Sequence, residues 1–189
     1  MRRAPVVVGL AALFGAADQF LGSLSRYPWA HEASLLSAPW LLVGFLAGCT
    51  QRTRRRAALL GLACTFAALI GYWVMTLSPI EGARLTAYGI RGLLVSQSLV
   101  IVGGLVTGPV CGWLGNRWRD EGLWLGALAV AAAFCLEPLA RAAVDSAIRY
   151  PGAIRYPAVW MGEVAGGLAM ALSVAIATRR RASSQRASG

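Results

Sequence analysis

The chain alternates between long apolar runs without a charged residue and short segments dense in arginine. The hexapeptide Gln51-Arg52-Thr53-Arg54-Arg55-Arg56 is the sharpest boundary, separating the charge-free runs 34–50 and 57–79. A hydrocarbon core about 30 Å thick is crossed by roughly 20 apolar residues, so two such runs on a short link read as a transmembrane hairpin. Extending the same reading along the chain predicts an all-α, polytopic membrane protein, a bundle of six transmembrane helices. The spans fall at about 4–24, 34–50, 57–77, 91–114, 122–140 and 158–178. They form one domain over residues 1–181, followed by a polar, disordered tail at 182–189. The basic start and first apolar run also describe a signal peptide, with Gly15-Ala16-Ala17 as a cleavage site. Retention is the expectation, because the spans come out even when that helix is kept.

Within this frame the connectors are read as loops. Residues 25–33 hold Arg26, His31 and Glu32, and 116–121 form a short charged turn. Pro39 lies near the start of span two, where a helix tolerates proline. In span four Gly104, Gly108 and Gly112 recur every fourth residue, a spacing that lets helix backbones approach closely. Pro109 beside them removes a backbone hydrogen bond and predicts a bend, or a hinge lining a substrate route. Span five continues past the membrane as a helix on which Glu137, Arg141, Asp145 and Arg149 alternate in sign at four-residue spacing.

Charge orients the bundle. Arginine-rich loops remain on the cytoplasmic side, and six spans place both termini on the side of the hexapeptide. Twelve of the eighteen basic residues then face inward, with only Asp120 and Glu121 opposing them, so that side carries the whole net charge of +10. The outer side balances at six against six. All the basic residues are arginine, and 57% of the chain is hydrophobic against 14% charged, with a mean hydropathy of +0.59. The basic charge is broken up around apolar spans, which argues against a nucleic-acid partner; the lipid bilayer is the partner it fits. The bacterial cytoplasmic (inner) membrane is the expected location.

Candidate chemistry gathers toward the outer side. Asp18, Glu137 and Glu163 sit in the outer parts of spans one, five and six, and Arg91 opens span four from the same side. An ionisable side chain at membrane depth is by default a functional-site hypothesis. With Gln19, Tyr72, Trp73, Gln97 and Trp160 at similar levels, these residues suggest a polar pocket with aromatic walls for a small ligand. The competing reading pairs the charges internally, Glu137 with Arg141 and Asp18 or Glu163 with Arg91. Three acids favour a cationic ligand, although Arg91 would suit a carboxylate. The tandem hexapeptide 147–158, Ala-Ile-Arg-Tyr-Pro-Gly then Ala-Ile-Arg-Tyr-Pro-Ala, falls on the outer side and suits the membrane interface.

Catalysis finds little support. A single histidine provides neither a metal-binding pair nor a Ser-His couple. The four cysteines lie in spans without a Cys-x-x-Cys and read as packing residues. No metal, no cofactor and no enzymatic activity is expected; an intramembrane enzyme is the remote alternative.

Two resemblances add to this. Ser37-Ala38-Pro39-Trp40, Phe45-Leu46-Ala47-Gly48, Arg56-Ala57-Ala58-Leu59-Leu60-Gly61 and Gly71-Tyr72 resemble an uncharacterised family of small six-helix bacterial membrane proteins, a resemblance that covers spans two and three and implies no activity. The architecture is similar to the substrate-binding components of energy-coupling-factor vitamin transporters. That likeness implies a ligand pocket near the outer face, and makes Ala12-x-x-x-Ala16 the counterpart of their small-residue docking motif. The expected function is a small-solute binding or transport component. The alternative is a non-transporting membrane protein whose small-residue faces bind partner helices or a second copy.

Overall fold

A computed structural model describes residues 4–82, 86–122, 124–148 and 156–187, all of whose regular structure is helical. The helices are α1 (Ala4–Ser23), α2 (Pro28–Ser34), α3 (Ala38–Cys49), α4 (Arg54–Thr76), α5 (Ala87–Ser96), α6 (Ser98–Glu121), α7 (Trp124–Ile148) and α8 (Pro157–Ala187), with a 3-10 turn at Pro79–Glu81. Among the described residues α1, α4, α6, α7 and α8 are each long and apolar enough to cross a membrane. The pair α2 and α3 meets the same test only together, bent by 51° at a short break. Large apolar side chains such as Leu13, Ile70, Leu105, Leu139 and Leu172 point outward. In water so extensive an apolar surface would aggregate, whereas lipid is its natural solvent.

Several boundaries differ from the sequence expectation, each for a local reason. The expected loop 25–33 contains α2, which begins on Pro28, a residue whose fixed φ suits the first helical position. Span two starts at Ala38 rather than Ser34, because Pro39 has no N–H to donate to the Leu35 carbonyl and its ring crowds that carbonyl, so it is accommodated only in the first turn of a helix. The resulting α3 has 12 residues. At 1.5 Å per residue it covers only about 18 Å, short of a bilayer core. Span four is interrupted at Gln97, so that α5 and α6 replace one helix beginning at Arg91. The supposed turn 116–121 is the end of α6, held by the i,i+4 pair Arg117–Glu121 and by Asn116 donating to Asp120. The reversal comes at Gly122, whose φ of 67° is left-handed and favours glycine. Arg54, Arg55 and Arg56 belong to the first turn of α4, capped by Thr53, whose hydroxyl accepts from the Arg56 N–H. Helix α8 runs on to Ala187, into the segment expected to be disordered; Ala, Gln and Arg there are sound helix formers. Arg84, Arg149, Arg155 and most of the tandem hexapeptide lie outside the described residues.

Packing gives the directions of the helices. Gly15 of α1 lies on Ala68 of α4, while Ala11 shares an apolar cluster with Leu60 and Cys64, so α1 and α4 run parallel. Helices α3 and α6 run together and antiparallel to α4, as Gly44 and Gly48 meet Gly108 and Gly112, and Gly61 meets the same two glycines from the other side. Gly104, Gly108 and Gly112 thus fill the seam between α6, α4 and α3. A Cβ on Gly112 would collide with the Ala57 carbonyl, and one on Gly48 with the Gly112 carbonyl. Helices α7 and α8 form an antiparallel pair through Gly167 against Ala131 and Phe134. They close on α3 through a core of Ala38, Phe45, Ala127, Val130, Phe134 and Val174. One end of the bundle therefore carries the arginine connector, the Gly122 turn and the start of α1. The other carries the α2–α3 break, the Gln97 break and the acids Asp18, Glu32, Glu137 and Glu163.

Candidate functional site

At that second end, a cavity of about 330 Å³ opens between α1, the α2–α3 break, α4 and α6. Among the described residues that line it, Asp18 is the one carboxylate. Trp40 and Tyr72 wall it, Gln97 sits at the α5–α6 break, and Thr65 and Thr107 lie deeper. The aromatic side is built as a row: Phe14 meets Trp40 edge-on at 5.5 Å between ring centroids, and Trp40 meets Tyr72 at 6.1 Å. These rings come from three helices, so the wall exists only in the folded bundle. Asp18 approaches the Trp40 indole nitrogen. The Thr65 and Thr107 hydroxyls donate to their own helix at the Gly61 and Gly103 carbonyls, leaving lone pairs rather than hydrogens toward the space. The cavity therefore offers one acid, aromatic faces and hydrogen-bond acceptors, a combination suited to a small ligand with a positively charged or donor-rich group.

Glu137 and Glu163 are not in this cavity. They form a second polar cluster behind it, where α7 and α8 meet the break between α2 and α3. Glu137 accepts from the Ser37 and Ala38 N–H groups at 2.6 and 2.7 Å, one on each carboxylate oxygen. This carboxylate supplies the cap that Ser37 does not, since the side chain of Ser37 makes no capping bond to α3. Arg141 lies 3.6 Å from Glu137, donates to the Leu35 carbonyl and stacks over the Trp160 ring. The Trp160 indole N–H donates to Glu32 at 2.5 Å, tying α8 to α2. Glu32, Trp160 and Glu163 are all buried. The three residues of the break serve both sites: Leu35, Leu36 and Ser37 line the cavity on one side, and Arg141 and Glu137 hold their backbone from the other.

The residues expected at one pocket thus divide. Asp18, Tyr72 and Gln97 come together; Glu137, Trp160 and Glu163 come together elsewhere; Gln19 and Trp73 are half-buried and line neither site. The Trp73 indole N–H is buried without a partner. Arg91 is exposed on α5 and makes no ion pair with Asp18 or Glu163. The internal pairing of Glu137 with Arg141 is present. Trp40 and Glu32 were missed as site residues. Trp40 carries no charge to draw attention, and the charge pattern places Glu32 in a loop. The proline that opens α2, at position 28, was the available signal that Glu32 belongs to a helix.

No family model, curated protein or solved structure matches this chain. The helices by themselves define its class: an all-α, multi-pass integral membrane protein.

Proposed function

We propose that the protein binds a small polar solute in the Asp18 cavity, as a solute-binding or transport component of a bacterial cytoplasmic membrane. The carrying observation is a lone carboxylate facing a cavity walled by Trp40 and Tyr72 in a protein of apolar spans. Arg91 lies outside the cavity, so the reading favours a cationic amine over a carboxylate ligand. Asp18 pairs with the charge, and the two aromatic faces hold it by cation–π contact. The membrane frame is six crossings with both termini cytoplasmic, the bent α2–α3 pair counting as one. Arg54, Arg55 and Arg56 support this orientation. Cations in the first turn of a helix oppose its dipole, so helix stability does not account for them, whereas retention on the cytoplasmic side does. The cavity then opens outward.

The alternative, a protein that docks partner helices through small residues, is weakened by the packing. The glycine row of α6 is consumed inside the chain, and the Ala12 backbone is covered by Gly71 of α4.

Thermal unfolding in detergent against a panel of small amines and other polar solutes tests the reading. A solute should raise the midpoint of the wild type and fail to do so in Asp18→Asn. If no solute stabilises the protein and Asp18→Asn behaves as wild type, the solute-binding reading is wrong. Labelling of a cysteine placed at Thr53 tests the orientation, with accessibility from the cytoplasmic side expected.

A further inference from the structure

We propose that Glu163 and Glu137 form a binding site for one monovalent cation, a proton or an alkali metal ion, placed behind the wall of the solute cavity. Glu163 is 5% exposed, and both of its carboxylate oxygens are buried without a hydrogen-bond donor. Among the described residues the charged groups facing it come from α7: Glu137 and Arg141. Glu137 is an acceptor like itself, so nothing passes between the two carboxylates unless a proton or metal ion lies there. Arg141 reaches Glu137, the Leu35 carbonyl and the Trp160 ring; its Nε–H is buried without a partner and makes no hydrogen bond to Glu163, so it offsets part of the acidic charge without pairing the Glu163 oxygens. From α2, Glu32 brings a third acid, already engaged by the Trp160 indole. Helix α8 contributes no cation at this level. A buried carboxylate left bare beside another acid is unfavourable, and buried charges in proteins are paired or hold cations. Oxygen ligands from two carboxylates suit a hard cation.

The position of this site gives it a consequence, which rests on the cavity being the solute site. Glu137 fixes the backbone of Ser37 and Ala38, and Ser37 lines the cavity. A cation drawn between Glu163 and Glu137 competes with those two N–H groups for the Glu137 oxygens. Its arrival or departure therefore changes how firmly the α2–α3 break, one wall of the cavity, is held. Irregular backbone at such a break, shared between a solute and an ion, is a geometry suited to coupling them.

The test uses the full-length protein in detergent, buffered with an organic cation too large for the site. Its unfolding midpoint is followed during titration with sodium, potassium or lithium chloride at fixed pH, and on stepping pH through the neutral range without alkali cations. A shift with alkali cation at constant pH that is lost in Glu163→Gln assigns a metal ion; a pH response reduced by the same substitution assigns a proton. Glu163→Asp keeps a carboxylate one methylene shorter and should retain the response at higher cation concentration, which guards against a poorly folded glutamine variant. A wild type insensitive to both titrations overturns the site, as does a Glu163→Gln protein that responds as the wild type does. Asp18→Asn should keep the cation response while losing solute stabilisation, so failure of this site and failure of the solute reading give different results.

Discussion

The two ends of the bundle use the same helices in opposite ways. Toward the arginine connector, backbone rests on backbone: Gly48, Gly61 and Gly112 bring α3, α4 and α6 together with no space between them. The polar groups there are bonded to the chain itself, as where Asn116 donates to the Gln51 carbonyl at 2.8 Å. Toward the other end, α2 and α3 part at a 51° bend and α5 and α6 part at Gln97. Space opens between the helices, and buried acids occupy its margins. Glycine contacts leave no volume for a ligand, whereas interrupted helices provide both volume and free backbone groups. A rigid, closely packed end thus positions a looser one, where binding is placed.

The sharpest way to break this contrast is to put a side chain into the glycine seam. In Gly112→Val the new Cβ already meets the Ala57 carbonyl and the Gly61 Cα, both of them backbone atoms that cannot swing aside, before its methyls are counted. Overpacking of this kind costs about 3 kcal/mol or more, and the expected result is loss of the folded, monodisperse protein on size exclusion. Gly166→Ala, where a Cβ meets nothing within 4 Å, is the control. It should change the unfolding midpoint little, or raise it, because alanine favours the helix by up to about 1 kcal/mol.

Next in size is removal of the carboxylate that holds the break. Glu137→Ala strips the Ser37 and Ala38 N–H groups of their acceptor and leaves Arg141 without its carboxylate. Hydrogen bonds to charged groups contribute about 1.5–3 kcal/mol each, and partial rehydration at this margin should leave a net loss of about 2–4 kcal/mol. Detergent unfolding should show it, with Glu137→Gln recovering part of the loss because the amide oxygen still accepts one N–H. An Ala variant as stable as the wild type would mean that the break needs no outside support.

The contrast also accounts for what the sequence disclosed. Charge-free runs of about 20 residues announce crossing helices because the bilayer demands that length, and α1, α4, α7 and α8 begin within a few residues of expectation. The four-residue glycine spacing announced a packing face because the helix period places those residues in a row. The breaks were less legible. Pro39 is tolerated in a first turn, but its missing N–H and its ring deny the Leu35 carbonyl a helical partner, and that divides the span. Gln97 carries no breaker signal, and no physical account of that interruption follows from local sequence. The acids were correctly drawn to one end, yet depth along a helix says nothing of which neighbour a side chain faces. Depth alone therefore groups Asp18 with Glu137 and Glu163, although the segment 35–37 stands between them.

At the packed end, Asn116 offers a smaller test. It is 2% exposed and links the Gln51 carbonyl to Asp120. Asn116→Ala leaves the carbonyl to Arg119, which already donates to it at 3.3 Å, and Asp120 to its ion pair with Arg119, so the loss should be about 1–2 kcal/mol, the net contribution of two hydrogen bonds. A loss several times larger in detergent unfolding would mean that the connector is held through this residue rather than by the glycine seam.

The smallest effect on stability is expected from the charges that dominate the same end. Arg54 pairs with Glu121, which also holds Arg117, but the Arg54 side chain is 59% exposed and water competes for it. Exposed pairs contribute little and are screened by salt. Arg54→Ala should leave the unfolding midpoint close to wild type, with any difference vanishing at high ionic strength. Replacing Arg52, Arg54, Arg55 and Arg56 together should act elsewhere, by weakening the charge bias that orients the chain. Labelling at position 53 should then reach a fraction of molecules from the opposite side, in protein whose thermal stability is little changed. A large loss of stability with uniform labelling would reverse that assignment, making the connector a structural element of the packed end.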